Sequence, residues 1–132
     1  LDDNGNVLIV WQQSDGKTSQ IYKSEYRNGR WSHPANAADN VSFSSHAASR
    51  PHVAMDNIGN AVIVWQQSDG KTRRLYKSEY HSGNWGQPGG ALDYTSPEGD
   101  EELVPDVALD KDGKPKISWQ QSSGVGGKVF KN

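Results

Sequence analysis

The densest run of side chains able to do chemistry is "DYTSPEGDEE", which holds Asp93, Tyr94, Glu98, Asp100, Glu101 and Glu102. Five carboxylates this close offer oxygen ligands for a calcium ion, or acceptors for the hydroxyls of a sugar. The plainer reading of the same run is a solvated acidic loop. A glycosidase working through two carboxylates needs them at a defined separation, which spacing along a loop does not establish. His46 and Arg50, in a second polar stretch, are the other candidates for ligand recognition. Elsewhere the chemistry thins out. The four His are dispersed and no Ser-His-Asp spacing stands out. The absence of Cys excludes disulfides and thiolate metal sites. "NVS" at Asn40 fits a glycosylation sequon, a pattern frequent by chance.

Those candidates need a scaffold, and composition bounds it. The length suits one domain or a piece of a larger one. Leu, Ile, Val and Phe make about 17% of the chain, a level associated with disorder only when net charge is high. Here the net charge is −2, and five Trp and five Tyr supply apolar area instead. An aromatic, β-rich core is expected. The near-neutral balance argues against nucleic acid or an anionic membrane surface as partners. No apolar run reaches the ~18 residues of a membrane span. The opening "LDDNGN" reads as the middle of a hairpin, so the natural N-terminus is expected upstream.

The chain repeats itself at an offset of 54 residues: "LIVWQQSDGKT" at 8–18 returns as "VIVWQQSDGKT" at 62–72. Trp11, Trp65 and Trp119 fall in register, as do Gly5, Gly59 and Gly113, and Tyr22, Tyr76 and Phe130. A fixed period of this size marks solenoids, propellers or arrays. Residues 1–54 form a first repeat that lacks its own first strand and carries the first strand of the next. Residues 55–108 form a second repeat, and 109–132 part of a third.

Within the middle copy every local signal is β. "RPHVAMD" (50–56), "AVIVWQQ" (61–67), "RRLYKSEY" (73–80) and "WGQP" (85–88) read as four strands. "NIGN", "SDGK" and "HSGN" are the turns between them. Asp15 and Asp69 are expected to cap such turns, a simpler role than calcium binding for them and for "DNG", "DNIG" and "DKDG". No apolar stretch keeps a helical period. "AVIVW" is apolar on both faces, whereas a sandwich strand normally alternates. Fifty-odd residues suit a propeller blade better than a sandwich of ~100 residues. The expected fold is therefore all-β: a β-propeller segment of about two and a half four-stranded antiparallel blades.

"RPHVAMDNIGNAVIVW…LYKSEYHSGNWGQP" resembles the blades of sialidase-type (Asp-box, BNR-like) β-propellers of bacterial exported proteins. The resemblance covers essentially the whole chain, with degenerate boxes. Ser24, Trp31 and Pro34, like Ser78, Trp85 and Pro88, keep box positions. Tyr26 and Tyr80 replace the box Asp, and Gly29 and Gly83 arrive one place late. The resemblance implies export and a rigid scaffold carrying variable loops. It also implies, for a sialidase, an arginine triad, a Tyr–Glu pair and an acid Asp, which these residues do not supply.

The repeat is an internal control. Positions shared between copies serve the scaffold: Trp11, Trp31, Trp65, Trp85, Trp119, Tyr22, Tyr76 and Phe130. Stretches 35–49 and 89–103 have equal length and share almost no letters, so ligand binding is expected there. The reading that follows is a non-catalytic binding or scaffold module of an exported bacterial protein, for a glycan or a protein ligand. The alternative is part of a sialidase-like glycoside hydrolase whose catalytic residues lie on other blades, and a purely architectural ring is a third. The remaining blades would come from the same chain or from other subunits. Blades bury their faces only against neighbours, so this segment alone is expected to expose apolar faces at both ends.

Overall fold

Short runs rich in β-branched and aromatic residues between Gly-bearing turns give strands and nothing else among the described residues. The structure, a computed structural model, describes residues 4–43, 46–68, 73–81, 83–86, 89–90, 103–112, 114–122 and 127–131. At 73–74, 89–90, 103–105, 115, 117–122 and 127–131 that description covers the backbone alone. The first sheet contains β1 (Val7–Ser14), β2 (Ser19–Arg27) and β3 (Arg30–Ser32) in that order. The second contains β4 (Ala48–Met55), β5 (Ala61–Ser68), β6 (Arg73–His81) and β7 (Asn84–Trp85), with β8 (Gly89–Gly90) also pairing with β6. The third has β10 (Pro115–Ser122) between β9 (Leu103–Leu109) and β11 (Gly127–Lys131). All pairings are antiparallel.

The register repeats with the sequence. Trp11 lies opposite Tyr22, Trp65 opposite Tyr76, and Trp119 opposite Phe130. The turns are built as their residues require. Asn28 and Gly29 both have positive φ, 54° and 78°, and join Arg27 to its cross-strand partner Arg30. A two-residue hairpin with both central residues left-handed is what Asn-Gly favours. The late glycine of the degenerate box is the second residue of that turn. At three other turns an Asp faces inward. Asp15 Oδ1 accepts the amides of Lys17 and Thr18 at 2.8 and 2.9 Å. Asp56 Oδ1 accepts those of Ile58 and Asn60, and Asp110 Oδ1 those of Asp112 and Lys114. These carboxylates hold backbone N–H groups, the local bonding that Asx side chains favour.

The sheets stack face to face, the second between the first and third. β5 is buried along Ala61–Gln67, which explains why its sequence does not alternate. Val62 and Val64 pack with Leu75 towards Val107 and Leu109 of the third sheet. Ala61, Ile63 and Trp65 pack towards Leu8 and Ile21 of the first. β1 has nearly the same letters and only one covered face: Leu8 is buried while Ile9 is 47% exposed. Uncovered apolar surface of the kind expected at the ends is seen on the first sheet. On the third, the described outward residues Asp106, Ala108 and Lys116 are exposed, with Lys116 standing where the second sheet has Val62. The three sheets do not close on themselves among the described residues.

Candidate functional site

The face β2 presents to the second sheet is not wholly apolar. Alternation along "YKSEYR" puts Lys23, Glu25 and Arg27 on one side of the strand. Opposite them come Tyr80, from the end of β6, and Trp85, from β7. The Trp85 indole Nε1 donates to Glu25 Oε1 across the seam. The Arg27 guanidinium lies over the Tyr80 ring, 3.8 Å from its centroid, and the Lys23 ammonium over Trp85 at 4.9 Å. Both cations flank Glu25: Lys23 Nζ lies 3.6 Å from Oε1 and Arg27 Nε 3.9 Å from Oε2.

The Glu25 side chain is only 11% exposed and that of Arg27 16%. Burying a carboxylate is costly unless it is paired and hydrogen-bonded, and the two cations and the indole do this. The satisfaction is incomplete on the cationic side. Arg27 Nη1 donates to the Gly59 carbonyl at 3.1 Å, whereas buried Nε and Nη2 have no hydrogen-bond partner among the described residues. The seam therefore buries two guanidinium nitrogens without hydrogen bonds beside a fixed carboxylate, with the two cations covering its aromatic rings. Lys23 also lines an open cleft of about 210 Å³ with Ser32, His33, Pro34 and Asp39. There the His33 ring stacks on Trp31, its Nδ1 sharing a 2.7 Å hydrogen bond with Ser24 Oγ.

Of the ligand-binding residues expected from sequence, those described do not join the seam. Asp93, Tyr94, Glu98, Asp100, Glu101 and Glu102 lie outside the described residues, and the calcium suggested for them with them. Among the described residues no three His, Asp or Glu side chains gather to hold a metal ion. The His46 carbonyl accepts the amides of Gln20 and Gln67 at 3.1 and 2.6 Å, tying its stretch to both sheets. Arg50 is exposed at a β-bulge between Ser49 and His52, with φ 56°. His46 and Arg50 are not brought to the seam with Glu25.

The aromatic positions take different surroundings. Trp65 is fully buried, Trp85 half-buried on the seam, Trp11 half-buried beside a cleft, and Trp31 48% exposed. Tyr22 is buried, donating from its hydroxyl to the Ala37 carbonyl at 2.8 Å. Burial, with Asp15 nearby, pushes its phenol up from the usual value. The test by shared positions hid the seam, because Glu25 recurs as Glu79 and Trp31 as Trp85. The legible signal was Arg27, which becomes His81 in the second copy.

Fold and site together define an all-β protein of stacked antiparallel sheets with a polar, aromatic seam. No family model and no curated protein matches the chain. Among solved structures it is similar to a fucose lectin from Kordia zhangzhouensis, in complex with methyl-fucoside. The match covers 100% of this chain and 88% of that one, with a TM-score of 0.51 and 15% identity. At that identity the likeness is one of fold. No helix of the described residues is long and apolar enough to cross a membrane.

Proposed function

We propose that this chain is a non-catalytic glycan-binding module that takes a saccharide at the seam between its first two sheets. The carrying observation is the convergence of Glu25, Arg27, Tyr80 and Trp85, with two buried guanidinium nitrogens that make no hydrogen bond among the described residues. A sugar presents vicinal hydroxyls, which both donate and accept, and an apolar face of C–H groups. A carboxylate beside a guanidinium matches the hydroxyls, and the aromatic rings match the C–H face once Arg27 and Lys23, which cover them in the free protein, swing aside. The fold likeness to a lectin bound to methyl-fucoside supports a saccharide as the ligand class.

The wider setting belongs to the same proposal. The 54-residue repeat, the sheet stack and the degenerate boxes support a propeller of sialidase type in an exported bacterial protein. Calorimetric titration with methyl-fucoside and a panel of methyl glycosides tests the reading. Saturable binding is expected, weakened at least about tenfold by Arg27→Gln, which removes spare donors. Binding to none of the panel contradicts it. Turnover of fluorogenic glycosides by this chain contradicts the non-catalytic part.

A further inference from the structure

Two cations cover the aromatic rings of the seam, and they are held unequally. The Arg27 guanidinium lies 3.8 Å from the Tyr80 centroid, and its Nη1 donates to the Gly59 carbonyl at 3.1 Å. The Lys23 ammonium lies over the Trp85 ring at 4.9 Å and 3.6 Å from Glu25 Oε1. At 3.6 Å it stands beyond hydrogen-bond distance of the carboxylate. The Lys23 side chain also keeps 27% of its surface exposed. The groups that receive it are fixed more firmly. The Trp85 indole donates to Glu25 Oε1 from its edge, which leaves the ring face to the cation. An aromatic face beside a carboxylate is what an ammonium group needs, the ring acting through its quadrupole and the carboxylate through its charge.

Lys23 has a second place to go. It lines the open cleft of about 210 Å³ together with Asp39, whose Oδ2 accepts the Ala35 amide at 2.7 Å. A flexible four-carbon stem lets the ammonium turn from the seam towards that cleft and its carboxylate. Charge then limits what can replace it. A neutral ligand would leave Glu25, whose side chain is 11% exposed, with one cation fewer. A ligand carrying its own ammonium restores the pairing, and the charge of the seam does not change.

We infer that the seam selects a saccharide bearing an ammonium group, an amino sugar, which displaces Lys23 from Trp85 and Glu25. This rests on the glycan reading and narrows it. The hydroxyls meet Arg27 and Glu25, the ammonium takes the position of the Lys23 ammonium, and Lys23 is an internal competitor in the free protein.

Calorimetric titration of the whole chain with methyl glucosaminide and methyl galactosaminide, each beside its N-acetyl and hydroxyl counterparts, tests it at a pH where the amine is charged. The amino sugar of at least one series should bind at least about tenfold tighter than both counterparts. Lys23→Met keeps the apolar stem and removes the competing charge. It should tighten amino-sugar binding about tenfold without tightening the neutral glycosides. Glu25→Gln keeps an acceptor for the Trp85 indole and should level the preference. Neutral glycosides bound as tightly as their amines would overturn the ammonium site and leave the glycan reading standing. Binding to no glycoside at all would remove both. Amino-sugar binding weakened by Lys23→Met would overturn the competition. Nα-acetyl-lysine amide bound as tightly as the amino sugar would overturn the saccharide part.

Discussion

The indole of Trp85 donates to the carboxylate of Glu25, sixty residues earlier and on another sheet. This hydrogen bond fixes the polar centre of an otherwise apolar seam. Arg27 and Lys23 flank Glu25, and the bond orients the ring that Lys23 covers. Replacing Trp85 with Phe keeps most of the apolar area and leaves Glu25 one donor short. A stability loss of ~1–3 kcal/mol is expected, from the cost of an unsatisfied buried acceptor. Denaturant melts measure it, and an unchanged midpoint would remove the bond from the account.

Trp65 and Trp11 share a repeat position and should differ in cost. Trp65→Ala empties a filled site between sheets and should lose ~3–5 kcal/mol. Trp11 has left water only in part, so Trp11→Ala should lose ~1–2 kcal/mol. Parallel urea melts compare them. Equal losses would mean that both faces of the first sheet are covered in solution.

The hairpin at Asn28-Gly29 makes a sharper backbone prediction. With φ of 54° at Asn28, Asn28→Gly should be close to neutral. Asn28→Val should cost ~1–2 kcal/mol, the penalty of left-handed backbone for a branched residue. Thermal shift assays of the two variants decide. A tolerated valine would rule out the two-residue turn described.

Two turn carboxylates predict an acid dependence. Amides from Thr18 and Lys17 hold Asp15 below its usual 3.8, and Lys114 foremost holds Asp110 below the same value. A carboxylate depressed in the fold contributes stability that is present above its unfolded pKa and lost as pH falls through its folded one. Stability should therefore decline from about pH 4 downward, and less steeply in Asp15→Asn with Asp110→Asn. Melts from pH 6 to 2 test this. An identical slope in the double variant would assign the acid loss elsewhere.

Much of the fold was legible because the repeat and the turns are local. Strands were expected at 50–56, 61–67 and 73–80, and form at Ala48–Met55, Ala61–Ser68 and Arg73–His81. The two-faced apolar run of β5 foretold its place between neighbours. The fourth strand, expected at 85–88, spans only Asn84–Trp85 in β7. The polar seam was not legible. Glu25 and Trp85 meet only when two repeats stack, and each recurs in the other copy as an ordinary scaffold position. Pairing across sheets carries no signal along one strand; only the change from Arg27 to His81 marked it.

Two-dimensional NMR on added saccharide tests the central claim most directly. The Trp85 indole N–H and the Arg27 Nε–H should shift together on titration with methyl-fucoside or the best binder of the panel, while the Trp65 indole stays put. Shifts confined to residues 35–49 or 89–103, or no shifts at all, would contradict a glycan site at the seam.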